Sequence, residues 1–299
     1  ATKSASDPAI DTNPSGGVGT EWHNKTSGEM YICTDATAGA NVWTNVGAGT
    51  GDIEPWAYQG ESFGYTAGGF TPTYQNTIDK FSFASGTQNA TDTGNLINID
   101  AFGAGHSGES YGYMVGGSVG QGSGSNVIQR HAYATDGNMV DVADLIRIDW
   151  NLSSSNSKVS HGYVTGGANA SGAGGWISTI QRWPEASNTN ATDVGNMTVA
   201  RYGWGGQSSA THGYACGGEN STLSPTLIDT IDKFQFANES ATAVDVGNLT
   251  HTTYMAGQSS TTHGYASGGM GAGPGPLVDI IDKYSFVTDG NGTDVGDLT

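Results

Sequence analysis

The sequence predicts an all-β fold, and three observations predict it. A Gly-Tyr-x-x-Gly-Gly anchor occurs five times, starting at Gly64, Gly112, Gly162, Gly213 and Gly264, at intervals of 48, 50, 51 and 51 residues. Two further blocks follow each anchor in the same order: TIDKFSF from Thr77, VIQRHAY from Val127, TIQRWPE from Thr179, TIDKFQF from Thr230 and IIDKYSF from Ile280; then DTGNL from Asp92, DVADL from Asp141, DVGNM from Asp193, DVGNL from Asp245 and DVGDL from Asp294. Short runs of aromatic and β-branched residues alternate with polar ones and stop at Gly, Asn or Asp, and no stretch carries a helical period. A unit of about 50 residues holding four short strands is one blade of a β-propeller. Five such units predict a five-bladed propeller over residues 51–299.

The elements divide in chain order. Residues 1–18 are polar and rich in Pro, Gly and Ser, which predicts an extended arm. Residues 19–50 form a small module with a hairpin, Glu29 to Thr34 pairing with Val42 to Val46. A lone hairpin is not stable in water, so Trp22, Tyr31 and Trp43 are expected to bury against a partner chain, a second copy or the propeller. Counting from Gly264 to Thr299 and resuming at Gly51 reaches Gly64 after 49 steps, within the repeat spacing. The segment Ile53 to Ser62 is therefore expected to supply the last strand of the fifth blade and close the ring.

Glycine supplies 48 of 299 residues, and the fixed positions it occupies point to turns rather than low complexity. The pair ending each anchor is expected where a Cβ would block the backbone. Against 28 acidic residues stand only 10 Lys and Arg, a net charge of -18, which leaves too little basic charge for a nucleic-acid face. Half of the cations share one repeat position: Lys80, Arg130, Arg182, Lys233 and Lys283. Asp92, Asp141, Asp193, Asp245 and Asp294 follow about a dozen residues later, so one ion pair per blade is expected, across strands or between blades. No apolar run approaches the ~18 residues of a membrane span, and the chain opens at Ala1 with no signal peptide, as a processed or partial chain would. Cys216 shares its repeat position with Ala67, Val115, Thr165 and Ser267, so it is expected as a small buried side chain, and a disulfide with Cys33 is not expected.

The sequence offers no catalytic constellation. His161, His212 and His263 share a position with Phe63 and Tyr111, which suits packing of a planar ring better than metal ligation. Phosphate loops, nucleophile elbows and His-Glu-x-x-His are absent. Catalysis, cofactors and metals are not expected. The sequons at Asn89, Asn190, Asn248 and Asn291 are by-products of the repeat.

The double glycine and the aromatic block after it resemble the kelch family of propellers. The tryptophan usual in a kelch blade is not kept as a rule; the second block carries Phe81, His131, Trp183, Phe234 and Tyr284 in turn. More closely, HGYxxGG, TIDKFSF, ATDVGNLT and GQSSxTHGY, spread over residues 51–299, are similar to repeats in structural proteins of marine bacteriophages, including cyanophages. Residues 19–47 resemble a short module of phage tail and fibre proteins, with a Trp, an Asn-containing turn, a Gly-Glu-x-Tyr strand and a second Trp. The resemblance implies a virion appendage or capsid-associated protein on an extracellular particle, bound to other virion proteins through its N-terminal module and expected to be a homo-oligomer. A secreted or surface bacterial binding propeller is the alternative.

Binding is expected on the variable end of the repeats. The connection after each Gly-Gly holds 8, 10, 12, 12 and 11 residues in turn, whereas the next connection barely varies. Phe70, Tyr74 and Trp176 lie on the variable end and present faces for sugar rings of a host surface polysaccharide or receptor.

Overall fold

The computed structural model describes residues 1–47, 62–84, 86, 89–118, 124–150, 154–158, 160–169, 175–203, 205–223, 226–236, 242–252, 254–270 and 277–299. Every regular element among them is a β-strand. Two compact units divide the chain, the first built on residues 1–57 and the second holding nearly all the rest.

The N-terminal unit is a four-stranded sheet of β1 (Thr2–Ser4), β2 (Glu21–Asn24), β3 (Met30–Asp35) and β4 (Val42–Asn45), in that order. Strands β3 and β4 are the expected hairpin. The expected arm contributes more than a tail, because β1 pairs in parallel with β2. Asn41 anchors it further, its Nδ2 donating to Ile10 O at 2.6 Å and Asn13 Oδ1 at 2.8 Å. Alternation along the strands turns Tyr31, Cys33 and Trp43 inward, all fully buried, with Trp22 edge-on to Trp43 at 5.8 Å. Tyr31 and Trp43 are thus the core of this sheet, not its contact surface, a correction to their expected attachment role. Trp22 alone of the three is partly exposed.

The second unit repeats one sheet design. The first sheet has three strands among the described residues, β5 (Phe63–Ala67), β6 (Gln75–Ser82) and β7 (Thr91–Asp100). The second is β8 (Ala104–Ser107), β9 (Tyr111–Val115), β10 (Ser125–Ala132) and β11 (Val140–Trp150); the third is β12 (Ser154–Lys158), β13 (His161–Asn169), β14 (Trp176–Pro184) and β15 (Thr192–Asn196). Asp149 and Trp150 pair with Asn169 and Ala168, which joins these two into one eight-stranded sheet. The fourth is β16 (Gly205–Ser208), β17 (His212–Cys216), β18 (Thr230–Gln235) and β19 (Val244–Asn248), and the fifth is β20 (Tyr254–Ser259), β21 (His263–Met270), β22 (Leu277–Ser285) and β23 (Thr293–Asp297). Strands β8, β12, β16 and β20 lie side by side, so the sheets fan out in a propeller-like arrangement.

This grouping shifts the expected one by a strand. The Gly-Gln-Ser-Ser strand pairs with the anchor that follows it, Gly205 with Cys216 and Ser208 with Gly213. The fifth sheet is consequently complete from its own four strands, and the sheet with three is the first. The expected closing strand, Ile53 to Ser62, lies outside the described residues except for Ser62. Among the described residues no strand pairing joins the first and fifth sheets.

One interlocking pattern recurs at each seam between consecutive sheets. The anchor Tyr packs on the aromatic residues of the next sheet's second block: Tyr65 on His131 and Tyr133, Tyr113 on Trp183, Tyr163 on Phe234 and Phe236, and Tyr214 on Tyr284 and Phe286, with centroids 4.6–6.2 Å apart. Each fully buried ring contributes roughly 2–3 kcal/mol. Beside it, the backbone N–H after the third block donates to the next sheet: Ile97 to Gln129, Ile146 to Gln181, Thr198 to Asp232 and Thr250 to Asp282, at 2.8–3.1 Å. Asn138, Asn190 and Asn291 accept the N–H of Asn95, Asp144 and Asn248 across three seams. Two of the sequon asparagines therefore have a structural task.

The anchor glycines answer to the same aromatic block. The ring of Phe81, His131, Trp183, Phe234 or Tyr284 lies across its own sheet's anchor Gly, where any Cβ would overlap it. The Gly-Gly pairs take φ between +59° and +124°, the left-handed region that the sequence anticipated.

The expected ion pairs form with other partners. Lys80 reaches Asp136 at 2.8 Å and Lys233 reaches Asp289 at 2.8 Å, each in the next sheet. Register explains why the third-block Asp is not used. Lys80 faces Thr91 and Asp79 faces Asp92, so Asp92 points to the other side of the sheet from Lys80. Its carboxylate accepts the N–H of Gly94 at 3.0 Å instead, and Asp193, Asp245 and Asp294 accept from Gly195, Gly247 and Gly296 at the same distance.

Candidate functional site

The end of the sheets that carries the Gly-Gly connections holds an aromatic cluster with a carboxylate. Trp176, half-buried at the head of β14, stacks on Tyr202 with centroids 4.5 Å apart and planes 16° apart. Tyr202 lies between the third and fourth sheets, and its backbone bridges that of Glu219, which directly follows Gly217 and Gly218. The Tyr202 hydroxyl donates to Glu219 Oε2 at 2.9 Å and lies 3.0 Å from the hydroxyl of Tyr254, the first residue of β20. The Tyr254 ring lies against Gly203 (φ +77°), where a Cβ would overlap it. Three sheets thus contribute to one cluster.

Burial, followed by the Glu219 carboxylate, pushes the Tyr202 hydroxyl up to about 12. It is accordingly a neutral donor at ordinary pH. Beneath the cluster, the fully buried Arg201 pairs with Asp232 at 2.9 Å and donates to Ala215 O. Asp232 also accepts the Thr198 hydroxyl at 2.6 Å. Asn220, buried next to Glu219, donates to Ala200 O at 2.7 Å. The floor is rigid because its charges are paired and its amides bonded.

The backbone does not need these side chains. At the corresponding place between the first and second sheets, Ala101 bridges Ser118 with the same backbone pattern. Tyr202 and Glu219 are departures from the repeat on an unchanged frame. Stacking faces, a neutral hydroxyl donor and a carboxylate acceptor are the groups that recognise a polyol or sugar ring.

Of the sequence-predicted residues, Trp176 belongs to this cluster. Phe70 and Tyr74 form a separate edge-to-face pair at 5.3 Å on the β5–β6 connection, with Phe70 60% exposed. Tyr202, Tyr254 and Glu219 were missed. A signal for the tyrosines exists in the connection before the inner strand, which carries Phe102, Tyr202 and Tyr254 in three repeats.

Other places offer less. A cleft of about 720 Å³ lies between the first and second sheets, lined by Tyr65, Lys80, His106, His131 and Tyr133 among others. It borders β5, the anchor strand with a single strand partner among the described residues, and has the form of an uncovered sheet edge. Among the described residues no group of three or more His, Cys, Asp and Glu has a metal-site arrangement. Phe63 and Tyr111 lie under Lys80 and Arg130 at 4.3 and 4.2 Å, and His161 and His212 occupy the same position beside their anchor Tyr. Both cysteines are free and buried; burial drives the Cys216 thiol up to about 12, so it is unreactive.

No protein-family model matches the chain, and no curated protein matches its sequence. Solved structures do match its fold. One, described as the structure of YjhT, superposes with a TM-score of 0.62 over 90% of this chain and 91% of that one, at 10% identity. At that identity the likeness is of fold alone, in keeping with an all-β, propeller-like architecture.

Proposed function

We propose that the chain is a non-enzymatic five-bladed propeller of a virion appendage, displayed by its N-terminal sheet and binding a surface glycan at the Trp176–Tyr202–Glu219–Tyr254 cluster. The observation that carries the binding role is the contrast between Tyr202–Glu219 and Ala101–Ser118 on one backbone pattern. Residues that the fold does not require are the ones free to serve a ligand. Among the described residues the cluster's carboxylate is Glu219, whereas glycoside hydrolysis uses two. The virion assignment is supported by the likeness of the repeats and of residues 19–47 to phage structural proteins.

Binding of the purified chain to a glycan array and to host envelope polysaccharide tests the ligand class. Trp176→Ala and Glu219→Gln are each expected to weaken binding about tenfold, ~1.4 kcal/mol, without changing the melting temperature by more than a few degrees. Equal binding by both variants would remove the site, and release of reducing sugar would replace a binder by a hydrolase. Mass spectrometry of purified particles tests the virion assignment.

A further inference from the structure

Two residues other than glycine hold a left-handed backbone among the described residues, Phe102 at φ +62° and Asp136 at φ +51°. A bulky L side chain enters that region only against steric resistance. At Asp136 the fold explains it, because the carboxylate accepts from both Lys80 and Tyr65. At Phe102 it does not. The side chain is 56% exposed and belongs to neither of the adjoining core clusters. Nor does the backbone call for an aromatic residue there. Ala104, Gly205 and Ala256 pair with one repeat position of their anchor strands, Val115, Cys216 and Ser267. Two residues before them stand Phe102, Gly203 and Tyr254. Gly203 makes the same left-handed turn, at φ +77°, with no side chain at all. Tyr254 is a member of the aromatic cluster described above.

We infer that Phe102 is a second sugar platform on the same end of the sheets, and that the ligand is a chain of neutral sugars, not a single terminal one. The inference rests on the glycan-binding reading of the Trp176–Tyr202–Glu219–Tyr254 cluster and extends it. Strain kept at an exposed residue, where a sibling uses glycine, marks a residue retained for contact outside the fold. Placement makes that contact part of the same site. Phe102 follows Ala101, whose backbone bridges Ser118, the residue after Gly116 and Gly117, just as Tyr202 bridges Glu219 after Gly217 and Gly218. Phe102 precedes β8 and Tyr254 opens β20, and β12 and β16 lie side by side between those two strands. With two strands between them, at about 4.8 Å or more per strand, the platforms are not reached by one sugar ring but by successive rings of a chain. The roles divide accordingly. Glu219 and the Tyr202 hydroxyl orient one sugar by hydrogen bonds, whereas Phe102 offers a bare face on which a further ring stacks. The net charge of -18 opposes an acidic polymer, which leaves neutral sugars as the class that fits.

Chain length of the ligand provides the test. The full chain is offered immobilised dextran, mannan and galactan, and then fragments of one to six sugars from the polymer it binds tightest. Affinity is expected to rise at least tenfold between one sugar and six. Trp176→Ala is expected to weaken fragments of every length, whereas Phe102→Gly and Phe102→Asn weaken only the longer ones, about fivefold. Gly and Asn both suit a left-handed backbone, so the melting temperature of these two variants is expected to stay level or rise. A fall in melting temperature for both would mean that the ring supports the fold, and would overturn the inference. Full affinity of both variants for six sugars, with Trp176→Ala still weakened, would overturn the second platform and leave the first standing. Binding that Trp176→Ala leaves unchanged would overturn the underlying reading of the cluster, and no binding to any of the three polymers would overturn both.

Discussion

The ring that heads each anchor strand is Phe63, Tyr111, His161, His212 and His263 in turn, exposed in the first and half-buried in the other four, and the basic residue of the second block belongs to the same sheet. Phe63 and Tyr111 offer their faces to those cations. A histidine in that place does best when neutral. Burial, and after it Lys233, lowers the affinity of His212 for a proton below the ordinary 6.5, with Asp289 opposing; burial and then Lys283 do the same for His263. The unfolded chain therefore takes up protons first as pH falls. The stability tied to neutral imidazole is complete above about 6.5 and is lost as pH drops through the lower folded values. His212→Phe with His263→Tyr, side chains that siblings already use, is expected to reduce the fall in melting temperature between neutral pH and pH below 6.5. Identical pH profiles for variant and parent would remove this account. The five-residue set was legible in the sequence as a ring position. Its neighbour was not, because spacing does not say which cation a ring covers.

At the scale of the strand, register decides what spacing leaves open. A separation of about a dozen residues suggested Lys80 with Asp92, but the strands pair Lys80 with Thr91. That one-residue offset turns the two side chains to opposite faces. The carboxylates that do meet the lysines come from turns of the following sheet, and they differ in burial. Asp136 is 29% exposed and bonds both Lys80 and Tyr65, whereas Asp289 is 54% exposed. Asp136→Asn is expected to cost about 1 kcal/mol, and Asp289→Asn only a few tenths after solvent screening. Asp232 belongs to another class, with Arg201 and Asp232 both fully buried. Removing one partner leaves the other charge buried and unpaired, so Asp232→Ala is expected to cost about 3–5 kcal/mol. Urea titration of the three variants gives the order directly. A cost for Asp289→Asn equal to that for Asp232→Ala would mean that burial does not set the hierarchy. The sheets themselves were legible because anchor and blocks recur five times with turn glycines between them. Their grouping was not: the Gly-Gln-Ser-Ser strand lies between one repeat's third block and the next repeat's anchor, and it could close the sheet of either. Only hydrogen bonding assigns it to the anchor.

Across the whole molecule, the candidate site was the hardest feature to read from sequence. Trp176, Tyr202, Glu219 and Tyr254 span nearly eighty residues and meet because three sheets converge at one end. No local pattern encodes that convergence. Net charge, in contrast, is fully legible and acts on the whole fold. At -18, with 10 cations to 28 acids, most carboxylates have no cation to pair with and repel one another in the folded state more than in the expanded chain. Salt screens exposed charges beyond a Debye length of about 8 Å at physiological ionic strength, and screens buried pairs far less. The Arg201–Asp232 pair is fully buried, so the interaction that salt would weaken most is repulsion. Raising sodium chloride from low to physiological ionic strength is therefore expected to raise the melting temperature, and substituting exposed acids such as Asp193 or Asp245 by Asn is expected to shrink that gain. A melting temperature that falls with added salt would mean that exposed ion pairs, and not the packed aromatic seams and buried hydrogen bonds, hold the sheets together.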